Sequence, residues 1–297
     1  NTRIKSYKKS FKIILCLFKL NQTMQVSKLI SMKIFKFGIL VFGFLISSSL
    51  IIHANGLVSA KITDGWIEKD QKLIFGLKID LNKNWKTYWR LPGNAGLKPL
   101  FTFDKSENVF AAKIMWPSPI IFGEDNLWSI GYKDSVLLPL EVTPIDTSKP
   151  IKLEIQADIG LCEDVCIPVT LNVSYFATPG QNQENYEILG AILSEPIKSD
   201  DIGFQPPQCI IKNGELIMEF NEKNFKTGIE NIELFVIEVG SSVFYVNSQK
   251  AYVFDDRITV STKNSVETEL PGVISRERIK TTIIGSNQSL EFVGCSG

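Results

Sequence analysis

Two cysteines four positions apart are the residues of this chain best placed to do chemistry. Cys162 and Cys166 are separated by three residues, and Pro168 follows them. In an extended strand their Cα atoms would lie ~13 Å apart, whereas a disulfide requires roughly 7 Å or less. The chain must therefore bend, and we predict that one strand ends at Cys162 and the next begins at Cys166. Pro168 suits the start of a strand or a sheet edge, because it cannot donate a ladder hydrogen bond.

The spacing alone leaves three uses of this pair open, namely thiol–disulfide exchange, a fixed structural disulfide and metal binding. A disulfide that closes so small a loop removes little entropy from the unfolded chain, which makes this a poor position for a structural bond. The acidic neighbours Glu163 and Asp164 disfavour a thiolate, so we expect a slow nucleophile. Metal binding is the weakest alternative, because two thiols make only half of a soft-metal site.

Residues 1–54 differ in composition from the rest of the 297-residue chain. They hold nine Lys or Arg and no acidic residue, and an apolar run extends from Phe37 to Ile52. Basic residues, then an apolar run, then a small residue at Ala54 are typical of a signal peptide. We therefore interpret residues 1–54 as an upstream extension and signal peptide, and we predict a periplasmic protein. An uncleaved membrane anchor is the alternative, although a membrane span usually needs ~20 apolar residues.

The composition of the remaining chain argues against several classes of function. It holds 23 Lys or Arg against 32 Asp or Glu, a net charge of −9, which argues against a nucleic-acid partner. The single histidine, His53, lies in the predicted leader, so a serine or cysteine hydrolase would lack its base. Neither a phosphate-binding glycine loop nor a zinc motif is present. We predict no small-molecule cofactor and no bound metal.

The elements that must position the cysteine pair read as β-strands, and an all-β fold is predicted. Apolar residues alternate at period two from Phe75 to Leu81, and similar short runs recur between turn residues. This pattern predicts a β-sandwich domain over residues 55–178 and a second, smaller β domain over 208–297. The linker between them, 179–207, should contain one short helix with Tyr186, Leu189, Ile192 and Leu193 on one face.

The second domain contains the other two cysteines that remain after the leader, Cys209 and Cys295. The total of four cysteines is even, as expected in an oxidising compartment. These two are candidates for a structural disulfide between the first and last strands of that domain. The alternative is two buried free thiols.

Three sequence blocks, taken in order, resemble one family. They are WKTYWRLPGNAGL at residues 85–97, WPSP at 116–119 with GYKD and LLP at 131–139, and CEDVCIP at 162–168. Together they are similar to the N-terminal domain of the thiol:disulfide interchange protein DsbD, in its ScsB-like branch, over roughly residues 57–176.

The resemblance implies an immunoglobulin-like sandwich in which Cys162 and Cys166 exchange electrons. In the family such a pair receives them from a membrane-embedded thiol reductase and passes them to periplasmic thioredoxin-like proteins. Because this chain ends at Gly297 without either domain, we expect both partners to be separate proteins.

The family also shields its disulfide with an aromatic cap, for which Phe122 or Trp128 is the candidate, and Tyr88 is expected to line the site. The competing interpretation is a non-enzymatic envelope binding or assembly protein in which the pair is a fixed disulfide.

Overall fold

The described part of the chain is built almost entirely from β-strands. A computed structural model describes residues 56–68, 71–124, 127–179, 184–221, 223, 225, 229, 231–265 and 269–297. The predicted signal peptide or anchor lies outside these residues. Across the described ranges, no helix combines the length and the apolar character needed to cross a bilayer.

Ten strands form the first β region. They are β1 (Leu57–Ile67), β2 (Leu73–Leu81), β3 (Lys86–Gly93), β4 (Leu100–Thr102), β5 (Val109–Ile114), β6 (Ile120–Glu124), β7 (Leu127–Lys133), β8 (Ser135–Pro144), β9 (Ile151–Cys162) and β10 (Cys166–Ala177). One sheet has the order β1-β2-β8-β5, and the other has the order β10-β9-β3-β7-β6 with β4 paired to β9. This is the predicted immunoglobulin-like sandwich, and the all-β fold class is confirmed.

The core of the sandwich lies between these two sheets. Every second residue of β2 from Phe75 to Leu81 is buried in it, as the alternating pattern predicts. On β9 the odd-numbered residues from Ile151 to Leu161 are buried in the same core. Because side chains alternate along a strand, Gly160 and Cys162 lie on the opposite, outer face of that sheet.

A second β region follows, with two short helices before most of its strands. Its elements are α1 (Tyr186–Leu193), β11 (Ile197–Lys198), α2 (Ser199–Ile202), β12 (Gln208–Lys212), β13 (Glu215–Asn221), β14 (Ile232–Val239), β15 (Ser242–Asn247), β16 (Tyr252–Phe254), β17 (Arg257–Ser261), β18 (Lys280–Gly285) and β19 (Ser289–Val293). Among the described residues of this region, 3-10 turns lie at 248–250, 262–264 and 276–278. The strands form one sheet of order β11-β19-β18-β14-β15 and another of order β12-β13-β17-β16.

A short helix, α1, lies between the sandwich and most strands of the second β region. The Asn185 side chain caps α1 by accepting from two backbone N–H groups. Ile188 is fully buried, whereas Tyr186, Leu189 and Leu193 are exposed. Ile188 fits beside Gly76 of β2, where the missing side chain leaves room.

Strand β14 contributes to both cores and connects the two β regions. Leu234 and Val236 pack with the core of the sandwich, whereas Phe235 and Ile237 pack in the second core. On the neighbouring strand β15, Tyr245 also packs against the first core. The outer face of this sheet is therefore covered by the sandwich.

Candidate functional site

The two cysteines face each other at the end of a hairpin. Cys162 is the last residue of β9 and Cys166 the first of β10, and they are direct cross-strand partners in the ladder. Their Cα atoms are 4.2 Å apart and their sulfurs form a disulfide. The bend lies where the spacing predicts it, and β10 is the edge strand of its sheet. The pair therefore sits at a corner of the sandwich, beside a sheet edge.

The two sulfur-bearing residues differ in their exposure. Cys162 is 4% exposed, whereas Cys166 lies in an exposed stretch of the chain. Val165 and Ile167, on either side of Cys166, are apolar and are also exposed. Another protein can therefore reach Cys166, while Cys162 is covered.

Tyr88 of β3 is the polar group that contacts both sulfurs. Its hydroxyl oxygen lies 2.6 Å from Cys162 Sγ and 2.9 Å from Cys166 Sγ. The sulfurs of a disulfide carry no hydrogen, so the hydroxyl is the donor. Burial raises the pKa of Tyr88, which keeps this donor protonated. The residue expected to line the site thus lies directly on the pair.

Glycines allow the Tyr88 ring to lie so close to the hairpin. A β-carbon built on Gly160 would lie 2.7 Å from Tyr88 Cε2, and one built on Gly96 would lie 2.9 Å from Tyr88 Cδ1. Either contact is closer than real side-chain carbons come. The β-carbon built on Gly160 would also lie 2.9 Å from Leu97 Cβ. The ring is therefore packed between β9 and the loop after β3. The sequence did not predict that Gly96 and Gly160 make this packing possible.

The two predicted cap residues occupy different places. Lys86 is the ladder partner of Cys162 on β3, and its ammonium group lies 5.4 Å from the centroid of the Phe122 ring. Phe122 is thus linked to the site through Lys86. Trp128 instead packs edge-on against Tyr245 of the second β region, with ring centroids 5.3 Å apart. Residues 125 and 126, between these two, lie outside the described residues.

Arg90 connects the strand that carries Tyr88 to the second β region. Its guanidinium group lies 2.8 Å from a Glu238 oxygen and 3.3 Å from Glu291 Oε2. Lys198 and Lys280 also bind Glu291, at 2.6 and 2.7 Å. Burial alone would raise the pKa of Glu291, but hydrogen bonds from the two lysines outweigh it and the pKa is lowered. This carboxylate therefore stays charged at the contact between the two regions.

The second cysteine pair lies within the second β region. Cys209 of β12 and Cys295, just after β19, form a disulfide with Cα atoms 5.7 Å apart. Cys209 is 2% exposed. Closing a loop of 86 residues would stabilise the fold by ~4 kcal/mol in the loop-entropy account. Across the ranges that the structure describes, no three His, Cys, Asp or Glu residues group as a metal site.

Comparison with known proteins bears on the first β region above all. The family model described as "Thiol:disulfide interchange protein DsbD, N-terminal" matches residues 59–176. A search of the curated proteins found no significant match.

Among solved structures, the N-terminal periplasmic domain of ScsB from Proteus mirabilis is similar, with a TM-score of 0.57 and 17% identity. The match covers 80% of this chain and 91% of that chain, so the shared fold extends into the second β region. The E. coli chaperone DraB gives a TM-score of only 0.20, at 10% identity over 80% of this chain and 96% of its own.

Proposed function

We propose that this chain is an exported carrier of thiol–disulfide exchange, because residues 59–176 match the family model of the DsbD N-terminal domain. The Cys162–Cys166 pair takes electrons from a membrane-embedded thiol reductase and passes them to thioredoxin-like proteins of the periplasm. The observation that carries this proposal is the unequal pair, one cysteine residue exposed and the other buried, with the Tyr88 hydroxyl in contact with both sulfurs.

In the first half-reaction, the membrane reductase reduces the Cys162–Cys166 disulfide. A thiolate of the reductase attacks Cys166 Sγ, because Cys166 is the exposed residue of the pair. A mixed disulfide forms with Cys166, and Cys162 Sγ leaves as a thiolate that takes up a proton. The second thiolate of the reductase then attacks its own partner sulfur in the mixed disulfide. Cys166 is released as a thiolate, and the reductase keeps a disulfide.

In the second half-reaction, the reduced pair passes its electrons to a thioredoxin-like protein. The Cys166 thiolate attacks the disulfide of a thioredoxin-like protein and forms a second mixed disulfide. Cys162 then loses its proton and attacks Cys166 Sγ, which re-forms the original disulfide and releases the partner as a dithiol. Two electrons leave with the two thiols, and no bound cofactor takes part in either half.

Tyr88 and the apolar rim serve this chemistry in different ways. The Tyr88 hydroxyl can donate to whichever sulfur carries negative charge, which lowers the cost of the leaving thiolate. Leu97, Val165 and Ile167 are exposed around the pair. They form a small apolar surface against which a partner can exclude water while the sulfurs react.

Trapping of mixed disulfides tests the proposal. In Cys162→Ser the exposed Cys166 thiol remains but nothing resolves its bond to a partner, so mixed disulfides should accumulate in periplasmic extracts. Cys166→Ser leaves only a covered thiol and should trap at least about tenfold less, and Cys209→Ser is the control for an unrelated cysteine. The readout is a complex in non-reducing electrophoresis that a reductant dissolves.

Mild reduction of the wild-type chain separates a working pair from a fixed bond. A carrier should be reduced at Cys162 and Cys166 by dithiothreitol while its melting temperature changes little. If reduction at this pair unfolds the sandwich, and Cys162→Ser traps no partner, the structural-disulfide interpretation is correct instead.

A further inference from the structure

Tyr245 of the second β region reaches across to Trp128 on strand β7 of the sandwich. Its ring packs edge-on against Trp128 at 5.3 Å, with an interplanar angle of 78°. Burial raises the pKa of Tyr245 to about 12, although a hydrogen bond from the Gly93 backbone opposes this rise. The hydroxyl is therefore neutral and paired with β3 close to where that strand ends.

Trp128 in turn holds the loop that follows β3. Its backbone N–H donates to Asn94 Oδ1 at 3.1 Å, and the Ala95 N–H donates to the Trp128 carbonyl oxygen at 3.1 Å. A β-carbon at Gly93 would lie 2.9 Å from the Trp128 ring, so the strand end and the indole are in close contact. The loop of residues 94–97 is thus hydrogen-bonded to the backbone of Trp128, the residue whose indole ring packs against Tyr245.

This loop reaches the cysteine pair through Tyr88. Gly96 lies against the Tyr88 ring and Leu97 against Gly160, which is two residues before Cys162. The Tyr88 hydroxyl then contacts both sulfurs. A continuous series of contacts therefore runs from Tyr245 to the disulfide.

We propose that Tyr245 is a positioning residue for thiol exchange, whose ring fixes Trp128 and the 94–97 loop so that the loop holds the Tyr88 hydroxyl on the cysteine pair. Its biological meaning rests on the proposed function. A hydroxyl that donates a hydrogen bond to a thiolate stabilises the charged form and lowers the pH at which the thiol ionises. If the contact between Tyr245 and Trp128 were lost, the Tyr88 hydroxyl would be free to move away from the cysteine pair.

The test measures how fast the reduced Cys166 is alkylated by iodoacetamide as a function of pH, with the modified peptide quantified by mass spectrometry. Tyr245→Ala removes the ring and should raise the midpoint of this profile by about 0.3 to 1 pH unit, the effect of weakening one hydrogen bond. Tyr245→Phe keeps the ring on Trp128 and should restore most of the wild-type midpoint.

Two controls separate positioning from general loosening. Val243→Ala lies on the same strand and packs against the same core, so it should leave the midpoint unchanged. Tyr88→Phe should raise the midpoint, and adding Tyr245→Ala should raise it no further, because both act through one hydroxyl. An unchanged midpoint in Tyr245→Ala, an equal shift in Val243→Ala, or additive shifts in the double variant would overturn the proposal.

Failure of the role proposed for Tyr245 is distinguishable from failure of the proposed function. Ionisation of Cys166 is measured without any partner protein, so it does not depend on the trapping experiment. Trapping with an unmoved midpoint removes only the role of Tyr245. A moved midpoint without trapping leaves the positioning contact in place and removes the carrier function.

Discussion

At the scale of single residues, neighbours of the cysteine pair have opposite effects on the stability of a thiolate. Glu163 and Asp164 lie between the thiols and disfavour a thiolate, which is all that the local sequence shows. The fold adds one group that favours it, the Tyr88 hydroxyl, which lies within hydrogen-bond distance of both sulfurs. The ease with which the pair reacts therefore depends on a residue more than seventy positions away in the chain.

Removing the Tyr88 hydroxyl should slow the opening of the disulfide. In Tyr88→Phe the sulfur that leaves as a thiolate loses its hydrogen-bond donor, so reduction by dithiothreitol should slow by about two- to tenfold. The rate can be followed by release of free thiol. Tyr175→Phe is the matched control, because Tyr175 lies on the same hairpin but donates to Asp64. Equal rates in Tyr88→Phe and wild type would show that the hydroxyl does not assist.

At the scale of elements, the Tyr88 ring of β3 packs directly on the backbone of the hairpin β9–β10. Gly160 permits this contact, since a β-carbon there would lie only 2.7 Å from Tyr88 Cε2. Its backbone is ordinary extended strand, so the requirement is for space and not for an unusual conformation. The glycine thus determines how near the hydroxyl comes to the sulfurs.

Filling the position of Gly160 should therefore destabilise the fold and displace Tyr88. We expect Gly160→Ala to lower the free energy of unfolding by about 1 to 3 kcal/mol, as overpacking in a buried site does. Gly190→Ala in α1 is the control, because nothing lies within 4 Å of its β-carbon position. Alanine favours a helix, so that variant should gain about 0.5 to 1 kcal/mol. Urea unfolding measures both, and equal stabilities would contradict the packing argument.

At the scale of the whole molecule, the two β regions meet through apolar and charged contacts together. Strand β14 places Leu234 and Val236 in the core of the sandwich. Beside them, Arg90 and two lysines surround the carboxylate of Glu291, of which only 10% of the side chain is exposed. The relative position of the regions therefore depends on a charge that acid can remove.

Stability should fall in acid because of Glu291. Its pKa is lowered in the folded chain, so the unfolded chain binds the proton more readily. The stabilisation is present above the ordinary pKa of 4.5 and is lost as the pH falls through the lower, folded value. Glu291→Gln should flatten this part of the profile and cost about 1 to 3 kcal/mol near neutral pH, less than a fully buried pair because the lysines reach solvent. Denaturant unfolding at several pH values measures both, and an unchanged slope would contradict the assignment.

Local patterns predicted the parts of the fold that depend on neighbours in the chain. Alternation along β2 identified core residues, and the spacing of Cys162 and Cys166 identified the bend. The buried face of α1 was not predictable, because Ile188 is selected by glycines on distant strands. The contact of Trp128 with Tyr245 likewise joins residues from two regions. Such pairings depend on how sheets approach each other, which no pattern within one segment contains.

The register of the hairpin has a kinetic consequence. Cys162 and Cys166 are cross-strand neighbours within a ladder of twelve paired positions, so the pairing of β9 with β10 does not depend on the bond between the sulfurs. After that bond opens, each sulfur still meets the other at a high effective molarity. In the proposed cycle, Cys162 would then resolve covalent complexes with other proteins quickly and free the chain for its next encounter.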